Sequence, residues 1–173
     1  MTNIKGDLHK VKAFAFDVDG VLSPDTVILH PEGDMMRTMN IKDGYAIQYA
    51  IKKGYPIAFI TGGKSKTVAE RLSGLGVKEV YLSSKDKLKD FNDFLEKNKL
   101  VPTDVLYMGD DIPDYKLMSI VGFPTCPSDA AEEIKLIADY ISDKKGGEGC
   151  VRDVIEQVLK IHGKWMDGEA FSW

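Results

Sequence analysis

Short apolar runs alternate with amphipathic stretches along most of the chain. Ala13-Phe14-Ala15-Phe16, Ile57 to Ile60 and Val105 to Met108 are apolar throughout, as expected of strands buried on both faces of a sheet. Glu79 to Leu82 predicts a fourth, less apolar strand. Between them fall helical spacings: Val68, Leu72 and Leu75, then Leu88, Phe91 and Leu95, then Val151, Val154, Ile155, Val158 and Leu159. Strands alternating with helices predict βαβ units with right-handed crossovers. The expected fold is therefore α/β, a Rossmann-like three-layer arrangement around a parallel sheet. Ligands of such sheets bind beyond the carboxyl ends of the strands, so the loops leaving the strands carry the candidate chemistry.

One stretch interrupts the alternation. Thr26 to Leu29 and Met35 to Asn40 flank the turn-forming run Pro31-Glu32-Gly33-Asp34, which predicts a β-hairpin over residues 25–40, projecting after the first strand. A lone hairpin is marginal in water. This one carries Val27, Leu29, Met35, Met36 and Met39, so it is expected to pack on its own subunit or on another. Residues 163–173 read as a tail beyond the last helix. The 173 residues contain no repeat or low-complexity segment, and one domain over 1–173 is expected.

A hydrophobic content of 43% with 29% charged residues excludes a disordered chain, and a net charge of -4 leaves no basic footprint for nucleic acid. No apolar run reaches the roughly 20 residues of a membrane helix. The segment Met1 to Lys12 is polar and unlike a signal peptide. Cys126 and Cys150 suggest neither a disulfide framework nor a zinc site. A cytoplasmic protein without nucleic-acid or membrane partners is the expectation.

The candidate chemistry begins at Phe16-Asp17-Val18-Asp19-Gly20, directly after the first strand. Two carboxylates at i and i+2 are costly at a strand end unless a cation uses them. Gly109-Asp110-Asp111-Ile112-Pro113-Asp114 follows another buried strand and belongs on the same rim. Carboxylates gathered there repel one another unless a divalent cation offsets them, and an all-oxygen set suits Mg²⁺. Thr61-Gly62-Gly63, between a strand and a helix, offers a hydroxyl and backbone N–H groups to a phosphate. A helix cap with turn glycines accounts for that piece equally well. Lys87 opens a further helix. Ala58 to Ser65 nearly matches the nucleotide-binding P-loop, but Ala58 replaces its first glycine inside a strand, so the match is discarded.

In order, Asp17-x-Asp19-Gly20-Val21, Thr61-Gly62, Lys87 and Gly109-Asp110-Asp111 with Asp114 resemble the four motifs of the haloacid dehalogenase (HAD)-like phosphatases, over nearly the whole chain. Asp43-Gly44-Tyr45-Ala46-Ile47, Gly109 to Asp114 and Gly146-Gly147-Glu148-Gly149-Cys150-Val151-Arg152 narrow the resemblance to a subfamily. That subfamily acts on 3-deoxy-D-manno-octulosonate (KDO) 8-phosphate. The resemblance implies a Mg²⁺-dependent phosphatase releasing KDO and phosphate on the way to lipopolysaccharide precursors. It makes Asp17 the nucleophile and Asp19 the acid and then the base. Mg²⁺ would lie on Asp17, the Asp19 carbonyl and Asp110, with Thr61, Gly62 and Lys87 on the phosphate. Asp111 and Asp114 would orient metal-bound water or Lys87.

Relatives of this length lack a cap domain. In them a homotetramer substitutes, its hairpins associating so that neighbours close each site. The anionic sugar acid calls for further cations, with Arg71, Lys64 and Lys66 after Thr61 and Arg152 as candidates; a solvated helix face accounts for the first three almost as well, whereas a mobile Gly146-Gly147 loop could carry Arg152 inward. Gly63 stands where related phosphatases often carry a charge. The phosphatase for nine-carbon keto-deoxy sugar acid 9-phosphates typically has Glu there, so Gly63 favours the eight-carbon substrate. Two other classes fit less well. A non-catalytic assembly module, like that attached to some sugar nucleotidylyltransferases, has no use for Asp17, Asp19, Lys87 and Asp110 together. A phosphorylatable receiver switch expects an Asp where this chain has Thr61.

Overall fold

The computed structural model describes residues 8–33 and 35–172. Residues 1–7, Asp34 and Trp173 lie outside the described residues, and with them most of the polar N-terminal segment, one position of the hairpin turn and the end of the C-terminal segment. The strands are β1 (Ala13–Phe16), β2 (Ile28–Leu29), β3 (Met35–Met36), β4 (Ile57–Ile60), β5 (Glu79–Tyr81), β6 (Val105–Met108), β7 (Phe123–Cys126) and β8 (Tyr140–Ile141). The helices are α1 (Ile41–Lys52), α2 (Lys66–Gly74), α3 (Lys87–Asn98), α4 (Tyr115–Met118), α5 (Glu132–Lys135) and α6 (Cys150–Ile161). Six strands form one parallel sheet in the order β5-β4-β1-β6-β7-β8, and β2 and β3 pair antiparallel as a separate hairpin.

Alternation along the central strands divides the core between the two faces. Phe14, Phe16, Ile57, Phe59, Leu106 and Met108 join one buried cluster with residues of α1, α2 and α6. Ala13, Ala15, Ala58, Ile60, Val105 and Tyr107 join the other with residues of α3, α4 and α5. Small alanines on the second face leave room for Phe91 and Phe94 of α3 to approach the sheet. The result is the expected three layers. Helix starts are fixed locally: Asn40 Oδ1 accepts from the Lys42 N–H at 2.8 Å to open α1, and Asp86 Oδ1 accepts from the Leu88 N–H at 3.1 Å to open α3. That cap sets Lys87 as the first residue of α3, facing the carboxyl ends of the strands.

The sheet extends two strands past those expected. Pro124 and Thr125 break the apolar run of β7, and β8 is a two-residue edge, so neither carries a clear strand pattern. The hairpin is present but shorter than its predicted arms, two residues on each side. It projects: Ile28 is 60% and Leu29 76% exposed, whereas Met39 packs against the core.

The segment after α6 is not a free tail. It folds back on α1, with Trp165 edge-on to Tyr49 at 5.5 Å between ring centres and Ala170 buried. The Tyr49 hydroxyl lies 2.7 Å from Asp167 Oδ1, the Tyr45 hydroxyl donates to the Ala170 carbonyl, and Lys53 pairs with Asp167 at 2.5 Å. Trp165→Ala should remove this clasp at a cost of about 1–3 kcal/mol, as expected for a half-buried aromatic contact. Urea titration checks it; an unchanged midpoint would mean the clasp contributes nothing to stability.

Candidate active site

At the end of β1 the chain keeps its sheet ladder for one more residue, the Asp17 N–H donating to the Met108 carbonyl at 3.0 Å. The loop then tightens. Ser23 N–H donates to the Val18 carbonyl at 2.9 Å, and Ser23 Oγ donates to Asp19 Oδ1 at 3.2 Å. Gly20 has φ +82°, and a Cβ built there would fall 1.9 Å from Asp110 Oδ2. Only glycine both accepts that backbone and lets the β6 loop close against the β1 loop.

Asp17 is 8% exposed. Its Oδ1 accepts from the Val18 N–H at 2.6 Å and its Oδ2 from Lys87 Nζ at 2.6 Å. Lys87 also donates to Asp114 Oδ1 at 2.6 Å. The Tyr107 hydroxyl reaches the same Asp114 oxygen at 2.6 Å, and the Asp110 and Asp111 N–H groups donate to Asp114 Oδ2 at 3.0 and 3.4 Å. With four donors, Asp114 has its acceptor sites filled. The Asp110 carboxylate, by contrast, accepts no hydrogen bond among the described residues.

Carboxylate oxygens of Asp17, Asp110 and Asp114 lie within 4.8 Å of one another. Burial and the neighbouring Asp114 charge push Asp17 up to about 7, against the pull of Lys87. Burial and the charges of Asp17 and Asp114 push Asp110 up to about 8. Burial draws the Lys87 ammonium down, but Asp17 and Asp114 outweigh it and hold its pKa above the usual range. One lysine against three carboxylates leaves the group short of positive charge. This oxygen-only set fits a hard divalent cation, and because Asp114 is already saturated, Asp17 and Asp110 could hold it.

These groups open on a cavity of about 930 Å³. Thr61 and Gly62 line it, as do Asp19, Asp111 and Lys87. Thr61 is fixed by the Ser84 N–H donating to its carbonyl at 2.9 Å, and its Oγ1 accepts from the Gly63 N–H at 3.0 Å. Two further lysines, Lys85 and Lys116, line the same cavity and carry no signal in the sequence beyond their charge. Arg37 of the hairpin carries no motif signal either, yet its Nε donates to Asp19 Oδ1 at 2.5 Å and its Nη2 to Asp19 Oδ2 at 2.9 Å.

Four expected sugar-binding cations are absent from this lining. Arg71 borders a separate cleft of about 350 Å³ between the hairpin and α2. Lys64 and Lys66 are exposed and line neither cavity. Arg152 donates to Glu156 at 3.1 Å and lies over the Trp165 ring at 5.4 Å, held away from the cavity by the C-terminal segment. The Gly146-Gly147 loop is anchored, which corrects its reading as a mobile carrier of Arg152. A Cβ on Gly146 would sit 2.1 Å from the Gly20 carbonyl oxygen, and the Gly147 N–H donates to the Val21 carbonyl at 2.8 Å. These glycines serve close approach to the β1 loop. Buried Asp43, from the other motif, caps α6 by accepting the Arg152 N–H at 2.7 Å.

Comparison with known proteins follows the same lines. A family model described as haloacid dehalogenase-like hydrolase matches residues 72–155. The 3-deoxy-D-manno-octulosonate 8-phosphate phosphatase of Salmonella typhi is 35% identical over 171 residues, covering 99% of this chain and 91% of the relative. The crystal structure of the corresponding phosphatase from Yersinia pestis has a TM-score of 0.91 at 30% identity, covering 94% of this chain and 88% of that one. That from Moraxella catarrhalis, in complex with a magnesium ion, a phosphate ion and a KDO molecule, has a TM-score of 0.88 at 34% identity, covering 93% of this chain and 92% of that one.

The raised carboxyls predict how metal and pH interact. Asp17 and Asp110 sit near 7 and 8 in the folded chain against 3.8 for an ordinary aspartate, so between about pH 4 and 8 the folded state binds more protons. Metal-free stability therefore falls as pH rises through that window. A cation must displace those protons at pH 6 but meets ionised carboxylates above pH 8. The rise in melting temperature on adding Mg²⁺ should be larger at pH 8.5 than at pH 6, by scanning calorimetry; equal rises would contradict the electrostatic reading.

Proposed function

The chain belongs to the 3-deoxy-D-manno-octulosonate 8-phosphate phosphatase family of haloacid dehalogenase-like hydrolases, and from that membership we propose that it is a Mg²⁺-dependent phosphatase hydrolysing KDO 8-phosphate to KDO and inorganic phosphate. The observation that carries the chemistry is the buried Asp17 carboxylate on the cavity floor, held by Lys87 beside the uncompensated Asp110. The substrate rests on the relatives, and on the KDO and phosphate bound in the Moraxella catarrhalis structure.

In this reading an Asp17 oxygen attacks phosphorus, the P–O bond to the sugar breaks, and Asp19 gives its proton to the departing oxygen. Asp19, now a carboxylate, takes a proton from the water that attacks the aspartyl-phosphate, which frees Asp17 and releases phosphate. Lys87 and the Thr61 hydroxyl hold phosphoryl oxygens as charged and neutral donors. Asp114 orients Lys87. The Asp17 and Asp110 carboxylates and the Asp19 carbonyl would hold Mg²⁺, which when bound neutralises charge on the transferring group. Within the protomer, Lys85 and Lys116 are the remaining cations placed to meet the sugar carboxylate.

The cavity is open, and the projecting hairpin supports the further reading of a homotetramer whose subunits close one another's sites. Its Ile28, Leu29, Met35 and Met36 side chains are exposed. An apolar ridge of this kind gains from burial against a second copy.

Phosphate release from KDO 8-phosphate, a nine-carbon keto-deoxy sugar acid 9-phosphate and glucose 6-phosphate tests the activity. KDO 8-phosphate should be hydrolysed fastest, and Asp17→Asn should lower turnover by about a thousandfold or more. Preference for the nine-carbon substrate would replace the substrate while sparing the chemistry; an active Asp17→Asn enzyme would remove the nucleophile. Changing Ile28, Leu29 and Met36 together to Ser should give smaller species in sedimentation and lower activity. A fully active monomer would end the capping idea.

A further inference from the structure

We propose that Arg37 is a positioning residue that aligns the ionised Asp19 carboxylate to take a proton from the attacking water, so that the hairpin is a working part of the catalytic loop. The inference rests on the phosphatase reading above, in which Asp19, once a carboxylate, is the base in hydrolysis of the aspartyl-phosphate; a guanidinium on both oxygens favours that ionised form. Its basis is geometric. The Arg37 guanidinium meets Asp19 through two parallel hydrogen bonds, Nε to Oδ1 at 2.5 Å and Nη2 to Oδ2 at 2.9 Å. Such a fork fixes the plane of a carboxylate as well as its position. The guanidinium is itself held from behind, Nη1 donating to the Met35 carbonyl at 2.7 Å. Ser23 Oγ adds a third donor to Asp19 Oδ1.

Burial is distributed in a telling way. The Arg37 side chain is 5% exposed although its neighbours Met35 and Met36 are exposed, while the Asp19 side chain keeps 37% exposure. The arginine has left water in order to hold an aspartate that still faces the cavity. A tie serving only to dock the hairpin would be made as well by apolar side chains, because a desolvated ion pair adds little net stability over them. What the charged fork adds is direction.

Gly63 shows where that direction leads. The point a Cβ would occupy on Gly63 is 3.2 Å from Arg37 Nη2, 3.3 Å from Thr61 Oγ1 and 3.4 Å from Asp19 Oδ2. Guanidinium, hydroxyl and carboxylate therefore surround one spot on the cavity wall, beside the Thr61-Gly62 turn. In this chain the hairpin arginine stands in the space that a side chain at position 63 would take.

A leaving group that departs unprotonated isolates the water step. 4-Nitrophenolate leaves 4-nitrophenyl phosphate without a proton, so its first, pre-steady-state turnover reports attack by Asp17 and the later turnovers report hydrolysis of the aspartyl-phosphate. Arg37→Met should keep the wild-type rate of the first turnover and lower the later ones about ten- to a hundredfold, the worth of a charge-assisted hydrogen bond. Arg37→Lys should recover only part of the loss, since a point charge cannot reproduce the fork. Wild-type turnover that vanishes in Asp17→Asn secures the phosphatase reading first, so failure there is told apart from failure of this inference. If Arg37→Met does not fold, Arg37→Gln, which keeps a donor without the charge, should show the same selective loss. Wild-type rates in the later turnovers, or a first turnover slowed as much as the later ones, overturns the proposal.

Discussion

Lys87 stands between Asp17 and Asp114, 2.6 Å from each, with all three side chains nearly out of water. Removing one such charge from its partners would leave the others buried and uncompensated, which costs several kcal/mol. The surrounding structure is arranged around that bond. Asp86 caps α3 so that the lysine begins the helix, Tyr107 reaches Asp114 from β6, and the Asp110 and Asp111 N–H groups close over the same carboxylate. A Cβ on Gly109 would fall 2.4 Å from Asp114 Cγ, so even the backbone beside it is shaped to admit the acid. Asp114 is thus spent on holding Lys87, and the charge deficit falls on Asp17 and Asp110.

The loops leaving different strands are packed closely on one another. Gly20 admits Asp110, Gly146 admits the Gly20 carbonyl, and the Cys150 thiol lies 3.2 Å from the Val21 carbonyl. Asp43 binds the start of α6 from α1. The β1 loop is therefore held on both sides, which limits its freedom where Asp17 and Asp19 must keep their geometry.

Much of this is legible in the sequence, for physical reasons that differ by element. β1, β4 and β6 are central, buried on both faces, and so read as unbroken apolar runs. β7 and β8 lie toward the edge, where Pro124 and a two-residue pairing suffice, and their pattern fades accordingly. Asp17, Thr61, Lys87 and Asp110 follow strands or open helices, so fold class alone gathers them on one rim. Arg37 does not. It reaches the rim through the tertiary placement of a hairpin whose local sequence announces only a turn. Arg71 and Arg152 are suggested by charge alone, and within the protomer Arg71 borders the cleft beside the hairpin while Arg152 lies over Trp165.

The strand order has a consequence for how the protein comes into being. β1 is made before both of its neighbours in the sheet, β4 and β6, which are separated from it by long stretches of chain. At a synthesis rate of roughly 5–20 residues per second, the interval from the end of β1 to the end of β6 is roughly 5–20 s. Until β6 is made, the apolar Ala13–Phe16 segment lacks at least one of the partners it has in the finished sheet. Asp17 is made well before the groups gathered around it, Lys87, Asp110 and Asp114. Nascent chains of this fold are thus exposed to chaperones at the strand that leads into Asp17.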